Sequence, residues 1–223
     1  MSSSVPVPAR NTTARAIGDS PADGANGTPA PAEGGAGARK PRADAIRNRA
    51  LLLSAARNAF ASANDDADVS LDAIARAAGV GIGTLYRNFP TREALVEALY
   101  ASELDEVVEA ASVLLAERRP GNETMRRWMD RYTRFVAAKQ GMPSALRMAW
   151  ASGSVSMRDT RARIRDTVAE LLAAGAEDGT LRSDVTADDL TDMLVGVFVA
   201  TGDAKNTERV GRLLDLLMDG LRP

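Results

Sequence analysis

The sequence predicts an all-α protein, on three observations. Hydrophobic residues make up 45% of the 223 but aromatics only 4%. A core built from Ala, Leu, Val and Met favours helices, because strands draw on β-branched and aromatic side chains. From Arg42 onward, apolar residues return every third or fourth position, the period of one helix face. No strand-like alternation and no internal repeat interrupts that pattern. The length suits one or two small domains with a real core.

Two absences narrow the chemistry. The chain has no Cys and no His, which excludes disulfides, thiolate chemistry, imidazole acid–base catalysis and Cys- or His-ligated metals. Carboxylate-only metal sites and carboxylate pairs survive that cut, but the adjacent Asp188 and Asp189 read as charges at the start of a helix. No catalytic residue, metal ligand or cofactor is therefore assigned, and a non-enzyme is expected. The first twenty residues lack the apolar run of a signal peptide. The longest strongly apolar stretch, Met193 to Ala200, is too short to span a bilayer. A cytoplasmic protein without a membrane partner is the expectation.

Charge is uneven along the chain. Net charge is −2, yet residues 40–92 hold eight basic against five acidic side chains, and residues 93–223 hold seventeen against twenty-two. A positive segment thus precedes an acidic one, an order compatible with a nucleic-acid-binding head on an acidic body.

Three regions follow from composition and periodicity. Residues 1–39, rich in Ala, Gly, Pro, Ser, Thr and Asn, read as a disordered tail. The alternative is an arm that follows DNA, since Arg39, Lys40 and Arg42 lie at its end. Residues 40–92 read as a three-helix head. Its first helix carries Ile46, Ala50, Leu53, Ala56 and Phe60 on one stripe, and the loop 64–69 ends it. Ser70 is placed to cap a second helix with Leu71, Ile74, Ala75 and Ala78 inward. Gly79 sits where a positive φ is needed after that helix. A third helix follows with Leu85 and Phe89 inward, stopped by Pro90. Thr91 caps a fourth helix, 91–117, with Glu93 in its first turn. Residues 93–223 continue as helices broken at 119–122, 140–143, 152–153, 178–179 and 201–202. Thr186 with Asp189 resembles a capping box.

Residues 70–89, SLDAIARAAGVGIGTLYRNF, have the architecture of a helix-turn-helix. Two short helices flank a tight turn at Gly79 to Gly81, with Val80 plugging the corner. Such a second helix is short and steep so that its polar N-terminal residues enter a major groove about 12 Å wide. Gly81 and Gly83 keep its start slim enough for close approach to phosphate. The glycines could also suggest a dinucleotide loop, but the preceding Ala75 to Ala78 is helical rather than a strand.

The run Ala75-x3-Gly79-Val80-Gly-x-Gly83-Thr84-Leu85-Tyr86-x2-Phe89-x2-Arg92-Glu93-x-Leu95 resembles the signature of the TetR/AcrR family of bacterial repressors. The resemblance covers about fifty residues, from the first helix into the fourth. Further on, Trp128-Met-Asp-Arg-Tyr132 and the segment from Arg212 to Leu221 look like the SbtR-like subgroup. The resemblance implies nine or so helices, a homodimer, a double-stranded DNA operator and a C-terminal domain that binds a small-molecule effector. It implies a ligand-released repressor on a palindromic operator.

Carried over residue by residue, the resemblance places DNA contacts at Ser70, Gly81, Gly83, Thr84, Tyr86, Arg87, Asn88 and Arg92. Thr84 and Arg87 would face base edges or phosphates, and the Tyr86 hydroxyl would donate to a phosphate. Asn88 stands where the family often has His, and Arg92 where it has Lys. Gly81 replaces a common Ser or Thr and Ile82 a position often polar, so base reading would rest more heavily on Thr84 and Arg87.

The body holds five of the eight Met and four of the nine aromatics between residues 125 and 157. Plain core is one reading of that cluster. A plastic ligand pocket is the other, which the resemblance favours, with Trp128, Met129, Tyr132, Phe135, Met148 and Trp150 as its lining. Two terminal apolar stripes, Leu190, Met193, Leu194, Val197 and Phe198, then Val210, Leu213, Leu214, Leu217 and Leu221, could likewise be core. The family pairs such helices in a four-helix dimer bundle, so Leu190, Leu194, Val197, Phe198, Leu213, Leu214 and Leu217 are the expected interface. A regulator acting through a protein partner instead of a small molecule is the nearest alternative, and an enzyme a distant one.

Overall fold

The computed structural model describes residues 36–63, 68–140, 142–153, 155–201 and 206–223. These form nine α-helices among the described residues, with no strand. Helix α1 (Ala36–Ser62) is longer than its predicted span. It includes residues 36–39 of the expected tail; residues 1–35, the rest of that tail, lie outside the described residues. The predicted stripe on α1 holds only in its second half. Ala56 and Phe60 are buried, Leu53 is half-buried, and Leu52, not expected, is fully buried. Ile46 is 65% exposed and Ala50 is exposed. The helical period continues there, but no other element covers it.

Helices α2 (Leu71–Ala77) and α3 (Ile82–Asn88) have seven residues each. Isolated helices shorter than about 12–15 residues are marginal in water, so packing must hold this pair. Ile74, Ala75 and Ala78 of one helix region and Leu85 and Phe89 of the other are buried against α1, and Leu71 is half-buried. The Ser70 Oγ accepts from Ala73 N at 3.3 Å and caps α2, an arrangement worth about 1 kcal/mol. The turn closes as the sequence predicts. Gly79 has φ +70°, Gly79 N donates to Arg76 O and Val80 N to Ala75 O, both at 3.0 Å, the paired bonds of a Schellman ending.

Helix α4 (Arg92–Ala116) is the longest element of the body. Thr91 Oγ1 accepts from Ala94 N at 3.1 Å at its start. It packs on α1 at one end and on α5 (Gly121–Gln140), α6 (Pro143–Ser152) and α7 (Met157–Glu177) along its length. Helices α8 (Ala187–Thr201) and α9 (Thr207–Gly220) close the body, α8 on α7 and α9 on α8 and α5. Asp189 N donates to Thr186 Oγ1 at 3.1 Å, while the Thr186 hydroxyl donates to Asp189 Oδ2 at 2.6 Å. The start of α8 is therefore capped where the sequence places it.

Two glycines let helices approach closely. A Cβ added at Gly121 would meet the backbone of Gly175, and one at Gly175 would meet Leu181. The same corner is tied by Asp178, which accepts from Gly121 N at 2.6 Å and from Thr180 N and Oγ1. The Thr180 hydroxyl and these backbone amides hold the Asp178 carboxyl below its usual range. No described helix is long and apolar enough to cross a membrane.

Candidate nucleic-acid interface

Helix α3 divides into two faces. Leu85 and Phe89 point into the head, while Gly81, Ile82, Gly83, Tyr86 and Arg87 are exposed. Nothing lies within 4 Å of where a Cβ would stand at Gly81 or Gly83. The start of α3 is therefore open to a large partner. Tyr86 is 50% exposed, so its ring and hydroxyl are open to a partner. Arg87 donates from Nη2 to Thr84 Oγ1 at 2.9 Å, so the two expected base readers are held side by side.

Other expected contacts carry structural duties. Asn88 is half-buried, and its Nδ2 donates back along its own helix to Thr84 O at 2.9 Å. Ser70 is exposed but spends its Oγ on the α2 cap. Arg92 also has partners within the head. Its Nη1 donates to the carbonyl of buried Val69 at 2.6 Å, and its guanidinium lies 5.4 Å from the Phe60 ring centre. The side chain turns inward and ties the loop before α2 to α1.

Sequence reasoning missed the junction of head and body. Arg57 on α1 bonds Glu103 and Glu106 on α4. Burial pushes the Glu103 carboxyl above its usual range, and Arg57 pulls it only part of the way back. Burial would lower Arg57, but its hydrogen bonds to Glu103 and Glu106 outweigh that and hold it above its ordinary value. The legible signal was Glu103 itself, a charge on the stripe Leu99, Tyr100, Leu104 and Val107. Beside it, Tyr100 Oη donates to Thr160 Oγ1 at 3.0 Å and ties α4 to α7.

The expected pocket residues separate. Trp128, Met129, Tyr132 and Phe135 are buried together, with Trp128 stacked on Tyr132 at 5.5 Å and Tyr132 edge-on to Phe198 at 5.6 Å. Trp128 Nε1 donates to Val107 O at 2.9 Å. Burial raises the Tyr132 hydroxyl to about 12. Met148 is 57% exposed and lines no interior space, because the adjacent turns of α6 direct Leu146 and Ala149 inward instead. Trp150 makes its ring contact with Lys139, at 5.9 Å.

The expected interface residues divide by their burial within one chain. Leu190, Leu194, Phe198, Leu214 and Leu217 are already buried within a single chain and have no surface left to offer a second. Val197 and Leu213 are half-buried. The apolar side chains that remain outside on these helices are Met193, Val195 and Val199 of α8 and Leu216 of α9. Each helix is apolar on more than one face, and periodicity alone does not say which face meets its own chain.

A short, open-ended second helix on a Schellman turn, carried by an all-helical body, defines a helix-turn-helix DNA-binding transcriptional regulator. Residues 52–99 match the family described as bacterial regulatory proteins, tetR family, and residues 120–223 match the SbtR-like C-terminal domain of transcriptional regulators. The TetR transcriptional regulator SCO0520 of Streptomyces coelicolor is 42% identical. The match covers 78% of this chain and 98% of that one, with a TM-score of 0.71. A TetR transcription regulatory protein of Mycobacterium vanbaalenii is 35% identical over 82% of this chain and 99% of its own, with a TM-score of 0.64. The HTH-type transcriptional regulator SAR0097 of Staphylococcus aureus is 32% identical over 79 residues, 35% of this chain and 41% of that protein. The match therefore spans about two fifths of that curated relative's length. The chain belongs to the TetR family, as the helix-turn-helix signature led us to expect.

Proposed function

We propose that the chain acts as a homodimeric repressor that holds a near-palindromic duplex operator and is released from it by a small-molecule effector. The carrying observation is the split of α3, with Leu85 and Phe89 buried while Tyr86, Arg87 and the open Gly81–Gly83 start face solvent. Residues 40–92 are then the DNA-reading unit and residues 93–223 the sensing and pairing unit. Thr84 and Arg87 read base edges, and Tyr86 donates to phosphate.

Pairing of two chains uses the outer side of α8 and α9, where Met193 is 54% and Leu216 66% exposed. Apolar side chains at a two-fold axis meet their own copies and bury together. Sensing is assigned to the body around α5 and α6. Helix α4 packs on both α6 and α1, so a displacement of α6 has a mechanical route to the head through Arg57, Glu103 and Glu106. Two recognition helices fit one face of the duplex when about 34–36 Å apart, and release follows when that spacing is lost.

Operator selection from random duplexes, followed by a salt titration, tests the reading. With roughly 6–10 phosphate contacts, affinity should fall about 10³–10⁵-fold between about 50 and 200 mM salt. Selected sites should show two inverted half-sites. Affinity flat in salt, or a preference for single strands, would overturn it.

A further inference from the structure

We propose that the corner between α5 and α6 binds the carboxylate of an organic acid with an apolar body, using Lys139 and the indole Nε1–H of Trp150 as its donors. The proposal rests on the effector-sensing reading above and names the chemical class of the effector.

Two hydrogen-bond donors stand there without an acceptor. Trp150 Nε1 is fully buried and has no hydrogen-bond partner among the described residues. By contrast, the other indole, Trp128, is satisfied by Val107 O. A buried donor left unpaired is costly, and natively such groups point to a bound water, ion or ligand. The side-chain ammonium of Lys139, half-buried at the end of α5, forms no described ion pair or hydrogen bond; its one described contact is the Trp150 ring. That distance, 5.9 Å, lies at the outer limit for a cation–π contact, where the attraction is weak. Withdrawing an ammonium from water costs more than such a contact returns, so the ring alone does not compensate. Burial lowers the Lys139 pKa, and no carboxylate offsets it.

The surroundings select the ligand further. Phe135 and Val136 lie one turn before Lys139 on α5, and Leu146 one turn before Trp150 on α6. All three are buried. A single cation beside an indole N–H and apolar walls matches one negative charge on an apolar body. A dianion would call for more positive charge than Lys139 brings. The two donors lie on different helices, so an acid bridging them would set the distance between α5 and α6.

The test follows the two indole N–H resonances of the full ¹⁵N-labelled chain, with Trp150→Phe supplying the assignment. The probes are octanoate and phenylacetate, each against its matched alcohol, 1-octanol and 2-phenylethanol, and inorganic phosphate. At least one carboxylate should shift the Trp150 resonance saturably and leave that of Trp128 in place, with the matched alcohol at least about tenfold weaker. Lys139→Met should remove that preference for acid over alcohol, and Lys139→Arg should keep it. Equal binding of acid and alcohol, no response to either acid, or a preference unchanged in Lys139→Met would each overturn the proposal. Phosphate matching the acids would reduce the site to an adventitious anion position and also overturn it. The acid–alcohol comparison on the unaltered chain stands even if Lys139→Met fails to fold. Duplex binding is measured separately without probe. A chain that binds duplex DNA but ignores both acids loses only the ligand class, whereas a chain that binds no duplex loses the regulator reading.

Discussion

Arg57 of α1 bonds Glu103 of α4 across 46 positions of sequence, and this pair ties the helix-turn-helix to the body. The Glu103 carboxylate is nearly buried, while Glu106, the second partner of Arg57, is largely exposed. Removing Arg57 therefore strands Glu103 and leaves Glu106 to water. Arg57→Met should cost about 1–3 kcal/mol, the penalty of an unsatisfied buried acceptor. Glu103→Gln keeps a hydrogen bond and should cost less. Replacing both partners, as Arg57→Met with Glu103→Leu, should recover most of the loss. Urea midpoints of the three variants check the order.

Tyr86 and Arg92 should separate cleanly. Tyr86→Phe removes an exposed hydroxyl, so melting temperature should hold while affinity falls equally for all duplex sequences. Arg92→Ala removes the tie to Val69 O and should cost about 1–3 kcal/mol of stability. Below its lowered melting temperature its DNA binding should be retained. An Arg92→Ala protein with unchanged melting temperature and uniformly weak DNA binding would restore the phosphate role.

Thr84→Ala and Arg87→Ala should change which bases are tolerated at fixed positions of each half-site, since base contacts carry discrimination of about 1–3 kcal/mol each. Repeated operator selection with each variant reads this directly. Identical selected sites would remove both residues from base reading.

The two faces of α8 predict opposite outcomes. Leu194→Arg places a charge in the single-chain core, a cost of several kcal/mol against a total stability of about 5–15, and should unfold the body. Met193→Arg or Leu216→Arg places it on the outer side, and should leave helicity intact while converting dimer to monomer. Sedimentation with circular dichroism on the same samples distinguishes them.

Alkaline titration should report Tyr132. Its hydroxyl is raised from 10.0 to about 12, chiefly by burial, with repulsion from Tyr100 adding and Arg161 opposing. An unfolded chain ionises this group near 10, so the stabilisation is complete below pH 10 and is lost as pH climbs through about 12. The loss is on the order of 2–3 kcal/mol. Absorbance near 295 nm should show a late phenolate step coincident with unfolding, and Tyr132→Phe should lack it.

Helix ends were the most legible features of the chain. Ser70, Thr91 and Thr186 cap, and Gly79, Gly153 and Gly179 terminate with positive φ, because each depends on chemistry within five residues. Inward faces were legible where one stripe was apolar, as with Ile74, Ala75, Leu85 and Phe89. They were not legible on α8, which is apolar on several faces, nor at Ile46, whose period continues past the last described element that covers α1.

The all-α class, the order of the helices, the turn at Gly79 and the open start of α3 were determined by the sequence alone, since local hydrogen bonding and side-chain period decide them. Only the tertiary structure decided which way Arg92 turns, that Arg57 meets Glu103, that Leu194 belongs to its own chain, and that Lys139 and Trp150 share a corner. Each of these depends on how separate helices pack together. Burial and pairing at such positions depend on what packs opposite, which no local pattern records.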